Sequence, residues 1–352
     1  GEWQCKAIGK VAPLQRGFDL PTQNLVEGIY PVIYSNGILQ HHDKYKCEAP
    51  GLITGRSGTI GKFTYIDSGF YWPHNTSLWV TDFCGNCPKF IYYLYQTVHI
   101  EQFSTGSGVP TLNRNDVHRY KTFVPTAIVE QEKIAKFLSI LDERIATQNK
   151  IIEDLKKLKS AIIEKLYSEI QGKEYSFGQL FEVVNERNKQ MEYSNILSAS
   201  QEKGMVNRDD LNLDIQFERS NINTYKIVMA GDYVIHLRSF QGGFAFADKL
   251  GVCSPAYTIL RPNSLLEYGY LSYYFTSNRF IKSLIIVTYG IRDGRSINVE
   301  EWLNMKIAIP SKGQQFHILK VLKSIDDKIE NEEIYATCLS NQKQYLLRQM
   351  FI

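Results

Sequence analysis

The chain has 352 residues, of which 43% are hydrophobic and 22% are charged, a balance that is typical of folded protein and excludes an intrinsically disordered chain. Its length corresponds to about two domains. The net charge is only +3, so any site for a polyanion must be a local patch rather than a basic domain. No apolar run approaches the roughly 20 residues of a membrane span, and six cysteines are too few for a disulfide scaffold. A reduced, cytoplasmic protein without membrane contact is therefore expected.

Taken in order, two globular segments alternate with two long helices. The globular segments contain short runs that alternate polar with aromatic or β-branched residues, as at 62–66 and 257–260, separated by glycine-rich turns. A short helical pattern lies at 271–280. The fold class is predicted to be mixed α+β. The predicted segments are a first globular domain at 1–127, a central long helix at 128–170, a second globular domain at 171–309 and a C-terminal long helix at 310–352.

The two helical segments are copies of one another. Residues 130–167 recur at 314–351 with a constant offset of 184. In both copies one seam of apolar residues advances by alternating steps of four and three, interrupted by polar residues at equivalent places, Gln148 and Lys159 in the first copy and Glu332 and Lys343 in the second. The apolar seam residues are Ile134, Leu138, Leu141, Ile145, Ile152, Leu155, Ile162, Leu166, Ile318, Leu322, Ile325, Ile329, Leu339, Leu346 and Met350.

This seam favours a paired coiled coil over a surface helix packed on its own domain, because globular helices rarely keep one seam for five heptads. About 38 residues of helix span ~57 Å at ~1.5 Å per residue. The globular segments are also weakly alike. The run GKFTYID at 61–67 resembles GGFAFAD at 242–248, and residues 112–125 resemble 297–310. The chain is therefore predicted to be one unit repeated, with a pseudo-two-fold relation between the copies.

Three segments carry a resemblance to a known family: VEQEKIAKFL at 129–138, LDERI at 141–145 and GLITGRSGTIG at 51–61. Together with the repeated layout, they resemble the specificity subunit of type I restriction–modification systems over nearly the whole chain. The second copy departs from the family pattern at 313–317, which reads GQQFH.

The resemblance implies two α/β target recognition domains, each reading one half of a bipartite target in double-stranded DNA. It implies that the two long helices pair antiparallel, hold the domains apart and set the spacing. The partners it implies are modification (methyltransferase) subunits, two of them, and restriction (translocase and nuclease) subunits.

Candidate DNA-contacting residues lie in glycine-rich loops and at strand ends. Glycines let the backbone approach phosphate closely, and Arg or Gln can pair with two atoms of guanine or adenine. Ordinary turn chemistry explains many of these positions equally well. The candidates are Ser35, Asn36, Arg56, Ser57, Thr59, Lys62, His74, Asn75, Ser107, Asn113, Arg114, Ser198, Ser200, Arg238, Ser239, Gln241, Arg292, Arg295 and Asn298.

No catalytic constellation appears in the sequence. The segment GRSGTIGK at 55–62 has neither the phosphate-loop nor the dinucleotide-binding spacing, and CGNC at 84–87 is a lone pair of cysteines without the partners of a zinc site. No cofactor and no metal are expected. The predicted role is a non-catalytic subunit that reads DNA and leaves the chemistry to its partners. Two alternatives stay open here: a coiled-coil scaffold that does not read sequence, and a stand-alone nuclease.

Overall fold

The computed structural model describes residues 2–106, 110–200, 203–210, 219–236, 243–289 and 296–351. Their contacts divide the chain into two units. Unit 1 is 1–150 with 333–352, and unit 2 is 151–332. Each unit therefore combines one globular segment with part of each long helix. The predicted mixed α+β fold is confirmed.

The elements of the first globular segment and its long helix follow. They are β1 (Trp3–Ala7), β2 (Leu14–Arg16), β3 (Tyr30–Tyr34), β4 (Gly37–His42), β5 (Cys47–Glu48), β6 (Gly51–Gly55), β7 (Phe63–Ile66), β8 (Phe70–Pro73), β9 (Ser77–Val80), α1 (Pro88–Thr97), β10 (Ser104–Thr105), β11 (Thr111–Leu112), α2 (Arg114–Arg119), β12 (Lys121–Pro125) and α3 (Ile128–Ser168).

The second half of the chain continues in the same manner. Its elements are β13 (Lys173–Ser176), α4 (Phe177–Leu180), β14 (Phe181–Val184), β15 (Leu197–Ser200), β16 (Gly204–Asn207), β17 (Lys226–Val228), β18 (Tyr233–Ile235), β19 (Phe244–Phe246), β20 (Gly251–Cys253), β21 (Thr258–Pro262), α5 (Tyr270–Tyr274), α6 (Asn278–Ser283), β22 (Thr288–Tyr289), β23 (Ser296–Ile297), α7 (Val299–Asn304), β24 (Lys306–Ile309) and α8 (Lys312–Met350).

One four-stranded sheet has the same strand order in both units. Unit 1 has a sheet in the order β2-β9-β6-β7, and unit 2 has the matching order β14-β21-β18-β19. Strand β3 pairs parallel with β8 in unit 1, and a single parallel bridge between Ile196 and Val252 takes that place in unit 2. The antiparallel pair β1–β12 corresponds to β13–β24. The internal repeat predicted from the sequence is thus a repeat of topology.

The long helices complete the core of each unit. In unit 1, Leu138 of α3 and Leu347 of α8 are buried with Tyr93 and Leu94 of α1. In unit 2, Ile163 of α3 and Leu322 of α8 are buried in a cluster rich in aromatic rings. Within each unit the two helix segments run antiparallel, because later positions in α3 meet earlier positions in α8: Asp142 with Lys343 and Arg144 with Tyr335 in unit 1, and Lys159 with Asp326 and Leu166 near His317 in unit 2.

The buried face of these helices follows the predicted seam for most of its length. Of the seam residues, Ile134, Leu138, Leu141, Ile152, Ile318, Leu322, Ile329 and Leu339 are buried. Towards the end of each helix the buried positions lie one residue later, at Ile163 and Tyr167 in α3 and at Leu347 and Phe351 at the end of α8, while Ile162, Leu166, Leu346 and Met350 are half-buried. An ideal α-helix drifts about 20° per heptad against a 3.5-residue repeat, so the buried face moves along the stripe.

The first turn of each long helix is held to the adjoining globular segment by a buried glutamine. Gln131 donates from Nε2 to the carbonyl of Pro125 and to Asn86 Oδ1, both at 2.9 Å, and accepts from the Cys87 amide at 2.9 Å. In unit 2, Gln315 donates to the carbonyls of Pro310 and Leu265 at 3.0 and 2.9 Å and accepts from the Glu267 amide at 2.8 Å.

The segment 313–317, where the sequence departs from the family pattern, therefore keeps the glutamine that fixes the helix start. Within the described residues, no helix has a stretch long and apolar enough to cross a membrane.

Candidate nucleic-acid interface

In unit 1, backbone hydrogen bonds hold three loops side by side: the β3–β4 turn, the β6–β7 loop and the β8–β9 turn. The Arg56 amide donates to the carbonyl of Thr76 at 2.9 Å, and the His74 amide donates to the carbonyl of Ile33 at 2.9 Å. The Leu112 amide donates to the Arg56 carbonyl at 2.8 Å, which adds β11 to the group. Candidates that lie far apart in the sequence therefore meet at one end of the sheets.

The β6–β7 loop, residues 56–62, connects two antiparallel strands as a hairpin. A Cβ at Gly55 would lie 1.7 Å from the carbonyl oxygen of Thr59, so only glycine fits there. Arg56 and Ser57 are half-buried, whereas Thr59 and Lys62 are exposed. The Lys62 carbonyl accepts from the Thr54 hydroxyl at 2.9 Å, which fixes the backbone of the lysine, and its exposed ammonium suits a phosphate contact.

The β8–β9 turn places His74 against the β3–β4 turn. The ring of His74 lies 4.3 Å from the ring of Tyr34, which directly precedes the candidates Ser35 and Asn36. Burial lowers the pKa of His74, so the imidazole is neutral at pH 7 and acts as a hydrogen-bonding group rather than a cation. Its Nδ1 lies 3.0 Å from the Thr76 hydroxyl.

Asn75 binds an acidic side chain that also binds an arginine. Its Nδ2 donates to Asp19 Oδ1, the same oxygen that Arg16 Nη2 reaches at 3.0 Å. The side chain of Arg16 is 51% exposed and is held in one direction by this ion pair. An arginine oriented in this way keeps further donors for a phosphate or a base edge.

Two predicted DNA contacts, Asn113 and Asn298, also have a structural role as helix caps. Asn113 Oδ1 accepts from the Asn115 amide at 3.0 Å and caps α2, and Asn298 Oδ1 accepts from the amides of Glu300 and Glu301 at 3.1 and 3.3 Å and caps α7. Asparagine is a preferred residue at this position because its side chain satisfies an unpaired amide of the first turn.

Arg114, the candidate that follows Asn113, lies in the first turn of α2 and is exposed. Its charge acts on His118 one turn later. Burial and then this charge lower the pKa of His118, whose Nε2 accepts from the Leu14 amide at 2.8 Å. Unlike Asn113, Arg114 does not cap the helix, and its guanidinium lies at the surface.

Two described candidates of unit 2 are serines on one hairpin. Ser198 and Ser200 lie on β15 in the hairpin with β16, and the Ser200 hydroxyl accepts from the Lys203 amide at 3.3 Å. Close by, Lys226 Nζ donates to the Tyr257 carbonyl at 2.7 Å. The charge of Arg208 acts on the Tyr257 hydroxyl, whose pKa is nevertheless raised, mainly by burial. Two cationic side chains therefore border the serine-bearing hairpin.

Six predicted candidates lie outside the described residues: Ser107, Arg238, Ser239, Gln241, Arg292 and Arg295. Their segments adjoin described parts of the same loops. The His236 amide donates to the Gly243 carbonyl at 3.0 Å, at the start of the β18–β19 connection, which corresponds to the loop bearing Arg56.

Sequence reasoning missed Arg16, Tyr34 and Thr76 in unit 1 and Arg208 and Lys226 in unit 2. Arg16, Tyr34 and Lys226 lie in strands, and the sequence pattern did not show that these strand positions lie beside the loops. One available signal was position: Tyr34 immediately precedes the turn at Ser35, and Arg208 immediately follows β16.

The pair Cys84 and Cys87 lies in the loop before α1. Cys84 has a positive φ of 49°, and the Cys87 amide is already bound by Gln131. Among the residues that the structure describes, no group of three or more His, Cys, Asp or Glu side chains is placed to hold a metal ion.

The chain matches the profile of the family described as type I restriction modification DNA specificity domain at residues 1–157 and again at 171–337. It is 27% identical over 281 residues to the type I restriction enzyme MjaVIII specificity subunit of Methanocaldococcus jannaschii, covering 68% of this chain and 64% of that protein. It is 25% identical over 265 residues to the putative MjaX specificity subunit of the same organism, covering 68% of this chain and 62% of that protein. The chain thus spans less than two thirds of the length of these curated relatives.

Solved structures share the fold. The S subunit of a type I restriction-modification system from M. genitalium superposes with a TM-score of 0.59 at 16% identity, covering 100% of this chain and 96% of that chain. A chain from a structure of type I R-M system assembly and conformational transition gives a TM-score of 0.62 at 14% identity, covering 99% and 97%. The two profile matches fall on the two halves of the repeat, and the chain belongs to the family of type I restriction modification DNA specificity domains.

Proposed function

We propose that this chain is the DNA-reading specificity subunit of a type I restriction–modification enzyme and catalyses no step itself. Each globular segment, 1–127 and 171–309, is a target recognition domain that reads one half of a bipartite target. The long helices set the spacing and bind two modification subunits, and restriction subunits join that assembly. The cytoplasmic location stays a prediction.

The observation that carries the proposal is the repeat of one strand order in two copies of the family domain. In unit 1 candidate residues lie in the β3–β4, β6–β7 and β8–β9 loops. In unit 2 they include two serines on β15, the strand equivalent to β3, and three residues between β18 and β19, the strands equivalent to β6 and β7. The scaffold is shared and the loop side chains differ. Two domains of this kind suit two half-sites of different sequence.

The side chains at these loops suit recognition rather than reaction. Arg56, Lys62 and Arg16 offer donors to phosphate or to guanine, while Ser35 and neutral His74 offer hydrogen bonds of either sense. In a nearly neutral protein, such local cations provide the affinity for DNA phosphates. Binding to DNA should therefore weaken as the salt concentration rises.

The test is a selection of randomised duplex DNA on this chain co-expressed with a modification subunit of the same system. A split motif with a fixed unspecified gap is expected. A single contiguous motif would restrict sequence reading to one unit. No enrichment with an intact complex would instead favour a scaffold, and cleavage by the purified chain with magnesium would favour a nuclease.

Single substitutions then assign the half-sites. Arg56→Ala is expected to weaken binding by ~1–3 kcal/mol if the arginine contacts a base, and to relax only the half-site read by unit 1. Arg348→Ala, which removes an exposed arginine in the last turn of α8, serves as a control of equal charge. Equal losses at both half-sites from Arg56→Ala would contradict the modular interpretation.

A further inference from the structure

The two lysines that interrupt the helix seam, Lys159 and Lys343, form ion pairs with the opposite helix. In unit 1, Lys343 Nζ of α8 lies 2.6 Å from Asp142 Oδ1 of α3, with side-chain exposures of 13% and 33%. The hydroxyl of Tyr93 in α1 donates to Asp142 Oδ2 at 2.8 Å. The lysine ammonium also lies 5.6 Å from the centre of the Tyr93 ring. Asp142, Lys343 and Tyr93 are called the unit 1 lock.

Unit 2 contains the same three residue types in the same relation. Lys159 of α3 forms an ion pair with Asp326 of α8, and their side chains are 26% and 37% exposed. The hydroxyl of Tyr273 in α5 donates to Asp326 Oδ2 at 2.7 Å, and Lys159 Nζ lies 5.1 Å from the centre of the Tyr273 ring. These residues form the unit 2 lock. The roles of the two helices are exchanged between the locks.

The spacing of these residues selects one alignment. Asp142 precedes Lys159 by 17 residues on α3, and Asp326 precedes Lys343 by 17 residues on α8. For helices that run in opposite directions, a single register therefore brings both Asp–Lys pairs together. Parallel pairing at the same repeat position would place Asp142 beside Asp326 and Lys159 beside Lys343. A shift by one heptad would separate both Asp–Lys pairs.

We propose that Asp142, Lys159, Asp326 and Lys343 are positioning residues that select the antiparallel alignment and the register of α3 with α8. The attraction within each pair stabilises the correct alignment only modestly, because both partners lose water on packing. Wrong alignments are disfavoured because they place like or unpaired charges in a partly buried seam. Tyr93 and Tyr273 tie each lock to its own globular segment, so the alignment of the helices is coupled to the packing of each segment on them.

The decisive variant exchanges charges within one helix. Asp142→Lys with Lys159→Asp keeps the composition and net charge of the full chain but makes both locks repulsive. We expect the thermal midpoint of unfolding to fall by about 3–8 °C. Adding Asp326→Lys with Lys343→Asp restores complementarity in both locks and is expected to recover most of that loss. As a control, Glu153→Lys with Lys157→Glu reverses an exposed pair on α3 with side chains 64% and 68% exposed, and should shift the midpoint by less than about 1 °C.

A helix exchange that melts at the parent temperature would overturn the proposal, and so would a four-fold exchange that recovers nothing. If the helix exchange fails to fold, folding of the four-fold exchange decides the matter, because it contains every substitution of the failed variant. This measurement needs no DNA, so it is independent of the proposed function.

Discussion

The glutamine at the start of each long helix makes the attachment of that helix testable. Gln131 is 2% exposed and forms three hydrogen bonds. Replacing it with alanine leaves the Pro125 carbonyl, Asn86 Oδ1 and the Cys87 amide without this partner. An unsatisfied buried group costs ~1–3 kcal/mol, and neighbouring losses are not additive, so a total of about 3 kcal/mol is expected.

This loss of stability corresponds to a measurable shift of the thermal midpoint. For a unit of about 170 residues, ~1 kcal/mol lowers the midpoint by ~2–4 °C, so Gln131→Ala should lower the melting of unit 1 by about 6–12 °C. Gln315→Ala should have an effect of similar size on unit 2, because Gln315 is 1% exposed and makes the equivalent three hydrogen bonds.

The assay is differential scanning calorimetry of the full chain, with Gln344→Ala as the matched control because Gln344 is exposed on α8. Gln131→Glu separates the contributions, because a carboxylate still accepts from the Cys87 amide but cannot donate to the other two partners. It should therefore also destabilise unit 1. Losses below about 1 °C for both Gln131→Ala and Gln315→Ala would refute the idea that these side chains fix the helices.

Three further outcomes are expected. Leu347→Ala, at a residue 3% exposed in the unit 1 core, should cost ~2–5 kcal/mol in chemical denaturation, and a cost well below that range would show that α8 does not complete this core. Gly55→Ala should distort the loop that carries Arg56 and weaken DNA binding, since the added Cβ meets the Thr59 oxygen; unchanged binding in a salt titration would place that loop away from DNA. Burial is the main cause that lowers the pKa of His118 in the folded state. When the pH falls through the usual histidine pKa of ~6.5, the unfolded chain therefore binds more protons than the folded chain, and the stability of the folded state should decrease. His118→Asn should flatten that pH dependence of the unfolding midpoint, and an unchanged slope would contradict the assignment.

The repeat, the two long helices and the family can all be recognised without a structure. These features are visible because a helix seam has a fixed period and because both copies keep it. The alternation of residues in 62–66 and 257–260 likewise predicted the strands β7 and β21. The pattern at 271–280 predicted one helix where the structure has α5 and α6, because Ser277 caps a new helix at Asn278.

The packed molecule, in contrast, is needed to tell which polar residues are structural and which face outward. Lys159 and Lys343 appeared as interruptions of a seam, and only the packed helices show that each pairs with an aspartate and a tyrosine from elsewhere in the chain. Asn113, a predicted DNA contact, also caps α2, which the sequence did not reveal. The partners of the two lysines are distant in sequence, and periodicity reports only which face of an element is buried, not what lies against it.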